Sequence, residues 1–119
     1  MTLKLGHIEL FVRDPQRSRD FYRDVLGFEV IDEQGRGFIW LSSGGFQILL
    51  RPAGANTTTT STYAESAIAF VIYTDDLPAT LETLASRGLI PAGHDGSLKC
   101  PTFTDPDGHW FQVVNPTDH

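Results

Sequence analysis

Two side chains near the start of the chain, His7 and Glu9, lie two residues apart in the β-branched and aromatic run His7 to Val12. In an extended strand they share a face. An imidazole beside a carboxylate can hold a metal ion, move a proton or orient a cationic group. Glu9 is therefore the candidate catalytic base or cation-binding group, because a carboxylate on an enclosed face is costly to bury unless it is paired or wetted. Near the other end, Trp110 and Gln112 alternate onto one face of the run His109 to Asn115, opposite Phe111 and Val113. An aromatic wall with a few convergent polar groups is the usual make-up of a small-molecule site, and Trp110 is the preferred stacking residue.

Other chemically capable residues have plainer readings. Cys100 is the single cysteine and reads as a small strand residue, since a reactive thiolate needs an electropositive neighbourhood. Asp105 and Asp107 sit in Asp105-Pro106-Asp107-Gly108 and read as turn formers. His94 and His109 adjoin glycine-containing turns and His119 is terminal, so all three are expected at the solvated surface. Phe38, Trp40, Phe46, Tyr73 and Phe111 are strand aromatics, mostly core or interface, with the remainder available to line a cavity.

The elements that must position these groups repeat along the chain. Asp14-Pro15 offers an N-cap with proline at the first helical position; Phe21, Tyr22, Val25 and Leu26 recur at helical spacing, and Gly27 is a stop. In the second half Ile68 to Tyr73 is a strand, Asp75-Asp76 supplies the cap, Leu77, Leu81, Leu84 and Ala85 form the apolar stripe, and Gly88 is the stop. Asp14 to Gly27 and Asp75 to Gly88 are both separated by 13 residues, a duplication with a period near 61. Strands are expected at Phe28 to Asp32, Phe38 to Leu41 and Phe46 to Arg51, and again at Leu89 to Ala92, weakly at Lys99 to Thr104, and at His109 to Asn115. Strand, helix and three strands per half predicts an α+β fold of two tandem βαβββ modules, whose curved mixed sheets enclose a cavity. Residues 1–119 form one domain, with module 1 at about 4–52, a linker at about 53–65 that includes Asn56 and Thr57 to Thr60, and module 2 at about 66–116.

Composition sets outer bounds. The 119 residues are 40% hydrophobic and 11% aromatic, ordinary for one globular domain. A net charge of −6 without a local basic cluster argues against nucleic acid and would favour a cationic ligand. No apolar run approaches the roughly 20 residues of a membrane span. With no export signal and one cysteine, the expected location is the cytoplasm.

His7-Ile8-Glu9-Leu10-Phe11-Val12-Arg13-Asp14, then Ser18, Phe21-Tyr22 and Leu26-Gly27-Phe28, resembles the opening module of the vicinal oxygen chelate superfamily, which includes glyoxalases, bleomycin resistance proteins and extradiol dioxygenases. Asp105-Pro106-Asp107-Gly108 with Phe111-Gln112-Val113 resembles its final turn and strand. The resemblance implies four metal-ligand positions on four strands. His7 fills the first and Gln112 the fourth, but the second falls near Ile48 and the third among Ala67, Ile68, Ala69 and Phe70, none of which offers a donor atom. Gln47, adjoining Ile48, is expected to face the other way. The resemblance therefore favours metal-independent binding of a small, cationic or aromatic molecule, in the resistance or sequestration manner, with His7, Glu9, Ile48, Trp110 and Gln112 around one cavity and no cofactor. The alternative is a lyase, isomerase or dioxygenase using His7, Glu9 and Gln112 with Zn, Ni, Mn or Fe. His7 also has a plainer reading, as a strand histidine hydrogen-bonded within a pocket. A third reading fills the cavity with the protein's own side chains. The two modules can pair with each other or with those of another subunit; relatives usually pair them between subunits, so a homodimer is expected.

Overall fold

The structure, a computed structural model, describes residues 1–54 and 59–118. The expected loop residues Asn56 and Thr57, and terminal His119, lie outside the described residues. The chain divides into two compact units, Met1–Thr57 and Thr58–His119, and each is described by itself. Among the described residues no helix is long and apolar enough to cross a membrane.

The first unit is a complete βαβββ module. Strand β1 (Ile8–Val12) leads into helix α1 (Pro15–Asp20), which continues as a π-helical turn over Phe21–Val25, and then β2 (Glu29–Gln34), β3 (Phe38–Ser43) and β4 (Phe46–Pro52). The sheet order is β1-β4-β3-β2, with β1 parallel to β4 and the other pairs antiparallel. As expected, the Asp14 side chain caps the helix by accepting from the Arg17 amide at 3.2 Å, and Gly27 follows at a φ of 76°. Leu10, Val12, Ile39, Leu41, Ile48 and Leu50 are buried, and Tyr22 of the π turn is fully buried. Burying each such aliphatic side chain contributes about 1.5 to 3 kcal/mol.

The second unit holds β5 (Ala69–Tyr73), helix α2 (Leu77–Ser86), β6 (Thr102–Thr104) and β7 (Trp110–Val114), in the sheet order β5-β7-β6. Phe111 stacks on Phe103 and meets Phe70 at a tilt, with ring centroids 5.2 Å apart in each pair. Phe111 and Val113 share one face, as alternation predicts, and Trp110 and Val114 on the other face are buried too.

Two details correct the predicted repeat. The cap of α2 is Asp76, which accepts from the Ala79 amide at 3.1 Å, so cap to glycine stop is one residue shorter in the second half than in the first. The π turn takes up the extra residue of the first half: the Leu26 amide reaches back five residues to the Phe21 carbonyl at 3.2 Å. The expected strand at Leu89 to Ala92 does not form. Pro91 has no amide to give a ladder and Gly93 adopts a φ of 104°, leaving hydrogen bonds between Ala92, Gly93 and Thr102 and a single bridge from His94 to Pro101. Within the expected linker, Tyr63–Glu65 forms a 3-10 turn.

His109 is not a solvated surface residue. Its Nδ1 lies 2.6 Å from Oδ2 of Asp105, whose Oδ1 accepts from the amides of Asp107 and His109 at 2.9 Å each. Asp105 is buried, and its turn-forming role stands. The carboxylate raises the His109 pKa above its ordinary 6.5. Stability from a raised histidine is fully present below the unfolded pKa and is lost as pH rises through the folded one. His109→Ala should therefore cost about 1 to 3 kcal/mol in urea denaturation below that titration, since a buried acceptor loses its partner, and the cost should shrink above it.

Candidate functional site

On the first sheet, alternation puts His7, Glu9 and Phe11 on the face away from Leu10, Val12 and Ile48, a face that also carries the buried Leu49. Glu9 of β1 lies beside Leu49 of β4, and Phe11 beside Arg51. One Glu9 carboxylate oxygen is 2.9 Å from Nε2 of His7, and the other accepts from Nη1 of Arg51 at 2.7 Å. The Arg51 guanidinium lies over the rings of Phe11 and Phe38, at 5.3 and 5.4 Å. His7 makes an edge contact with Trp40 of β3, with ring centroids 4.7 Å apart, and the Trp40 indole donates to Gln34 at 3.4 Å. The result is a row of Trp40, His7, Glu9 and Arg51 across three strands. Two donors converge on Glu9, and the Arg51 hydrogen bond, then that of His7, holds its carboxyl below the usual carboxylate range.

Arg51 is the residue that sequence reasoning missed. Its signal was available: Gln47, Leu49 and Arg51 alternate along β4, and only the pairing of Phe11 with Arg51 shows which face they take. That register also moves Ile48. It pairs with Ile8 and Leu41 and is buried on the helix-covered side, so the structure does not bring it to His7 and Glu9. Gln47, expected to point away, alternates onto their face instead.

In the second unit, Trp110 and Gln112 share one face of β7 with Ala69 and Val71 of the neighbouring strand, their register partners. Both are already engaged by the chain. The Trp110 indole donates to the Thr60 carbonyl at 3.2 Å, and the Gln112 amide donates to the Tyr63 hydroxyl at 2.8 Å. The Tyr63 ring meets Trp110 edge-on at 6.1 Å.

The model of the Glyoxalase/Bleomycin resistance protein/Dioxygenase superfamily matches residues 4–113. The chain belongs to this superfamily. It is 28% identical over 117 residues to the metallothiol transferase FosB of Staphylococcus epidermidis, covering 95% of this chain and 84% of that one. A 43-residue stretch is 40% identical to catechol-2,3-dioxygenase of Bacillus subtilis (strain 168), covering 35% of this chain and 15% of the length of that enzyme. Among solved structures, TnmS3, an antibiotic binding protein from Streptomyces sp. CB03234, aligns over 96% of this chain and 98% of its own at 21% identity and a TM-score of 0.68. A FosX mutant from Listeria monocytogenes, a fosfomycin resistance protein complexed with Mn(II), aligns over 96% and 90% at 21% identity and a TM-score of 0.71.

Superfamily membership raises the question of a metal ion, and the residues around Glu9 do not fit one. Among the described residues no three His, Cys, Asp or Glu side chains converge. Glu9 is already charge-paired, and the guanidinium 2.7 Å away would repel a divalent cation drawn to the same carboxylate. The face of β5 toward Trp110 and Gln112 presents Ala69 and Val71, which carry no donor.

Glu9 has a depressed pKa, so its electrostatic contribution is present above the unfolded value and lost as pH falls through the folded one. Arg51→Leu should raise the Glu9 pKa toward the ordinary range in a carbon-detected NMR titration of its carboxyl. An unchanged Glu9 titration would show that the pair does not persist in solution.

Proposed function

We propose that this superfamily member binds a small aromatic molecule without a metal ion, on the open face of its first sheet. The observation that carries the reading is Arg51 on Glu9. The pair supplies one donor group and one acceptor group with no net charge, next to the Trp40 and His7 rings. Compensation of Glu9 moves the expected ligand from a cation to a neutral or zwitterionic aromatic that offers both an acceptor and a donor. His7 and Glu9 are the contacts assigned to it. Antibiotic binding by TnmS3 and Mn(II) binding by FosX mean that the fold itself serves either reading. The second reading is a metal-dependent lyase, isomerase or dioxygenase using His7, Glu9 and Gln112, and similarity to a metallothiol transferase over most of the chain favours it.

Elemental analysis and a fluorescence titration separate the two. The purified protein should hold well under one equivalent of Zn, Ni, Mn or Fe. Neutral planar aromatics should quench tryptophan emission, and Trp40→Phe should remove most of that signal, since Trp110 is 6% exposed. Cationic analogues should bind no better than neutral ones. Stoichiometric metal, with quenching that survives Trp40→Phe, would refute the proposal.

We also infer a homodimer. Phe46, Val71 and Tyr73 are 68%, 48% and 71% exposed, and apolar side chains left open on sheets are ordinarily covered by a partner. Light scattering at micromolar concentration should give twice the chain mass; a monomer there would end the inference.

A further inference from the structure

We propose that Thr59 to Ser66 is a strap seated on the Trp110 and Gln112 face of β7, and that the ligand which displaces it is a hydroxylated aromatic carrying a carbonyl acceptor. This rests on the reading of the protein as a binder of small aromatic molecules, and it names the ligand class from what the strap itself presents. The strap follows the Trp110 side of the final strand and its turn. Thr59 packs on Gly108 so closely that a Cβ there would stand 2.7 Å from the threonine methyl carbon. The Thr60 carbonyl accepts from the Trp110 indole and the Tyr63 hydroxyl from the Gln112 amide, while the Tyr63 ring covers Trp110 edge-on.

The face is therefore satisfied by a phenol and a carbonyl of the chain's own. The buried indole N–H of Trp110 is costly to leave without an acceptor, and the half-buried Gln112 amide less so. An incoming molecule must replace both acceptors as well as the ring, which selects an aromatic with a hydroxyl and a carbonyl over a plain hydrocarbon. The bonds that shape the strap lie within it. Thr62 and Ser61 donate to the Glu65 carboxylate at 2.6 and 3.3 Å, and the Ser66 hydroxyl donates to the Tyr63 carbonyl at 2.7 Å. Among the described residues, lifting it as a shaped unit releases two hydrogen bonds, the Tyr63–Trp110 ring contact and the packing of Thr59 on Gly108. While it is seated, the fraction of open molecules scales down the apparent affinity.

The test is calorimetric titration of 7-hydroxycoumarin, with its phenol protonated, and of coumarin, which lacks the hydroxyl. Tyr63→Ala should bind 7-hydroxycoumarin about tenfold more tightly than wild type, because the occupant has been removed. Coumarin should gain less, and adding Gln112→Leu should abolish the difference between the two. In a Trp40→Phe background, where Trp110 is the remaining tryptophan, Tyr63→Ala should shift emission to the red. If Tyr63→Ala fails to fold, Tyr63→Phe keeps the ring and should still gain affinity. Equal affinity for 7-hydroxycoumarin in wild type and the Tyr63 variants overturns the strap while leaving aromatic binding at Trp40 standing. Equal gains for coumarin and 7-hydroxycoumarin overturn the ligand class. Absence of 7-hydroxycoumarin binding to the Tyr63 variants overturns the strap too, and the Trp40 quenching titration decides the broader reading independently.

Discussion

A β-sheet has two faces, and in the first unit helix α1 packs against β3 and β4 on one of them. Because side chains alternate along a strand, every inward aliphatic obliges its neighbour to point at the other face. Leu10 and Val12 take the covered side of β1, and Glu9 and Phe11 are thereby committed to the open one. Phe111 and Val113 do the same for Trp110 and Gln112 on β7. The candidate binding groups are positioned as a consequence of how the cores are packed.

Polar groups placed in this way need partners, and the partners come from far along the chain. Glu9 is held by Arg51, 42 residues on, and Gln112 by Tyr63, 49 residues back. These contacts set the chemistry more than the residues do singly. A bare Glu9 would attract cations and metal ions; paired with Arg51 it presents a neutral donor and acceptor. A bare Gln112 would be an open amide; under Tyr63 one of its N–H donors is already used.

The duplication survives in outline and is edited in detail. The caps Asp14 and Asp76 and the stops Gly27 and Gly88 repeat, because any helix packed on a sheet must begin and end with its terminal amides and carbonyls satisfied. The one-residue mismatch between the halves is taken up where it costs little, in a widened π turn around buried Tyr22. Pro91 and Gly93 remove a strand from the second sheet, so the two halves share an ancestry of pattern without equal strand counts.

What the sequence determined by itself was everything carried by local periodicity and punctuation: the α+β class, the βαβββ order of the first half, both helices with their caps and stops, the shared face of His7 and Glu9, and that of Trp110 and Gln112. The family resemblance was also legible there, because it lies in short motifs in a fixed order. Strand register was not, since a shift of one residue leaves the local pattern of Phe46-Gln47-Ile48-Leu49-Leu50-Arg51 equally acceptable while exchanging its faces. Only the pairing of Phe11 with Arg51 and of Ile8 with Ile48 decided that Ile48 joins the core and Arg51 joins Glu9. The same holds for Tyr63 over Trp110. That contact depends on where the backbone returns in space, which is set by the whole packed unit and not by the two residues that meet.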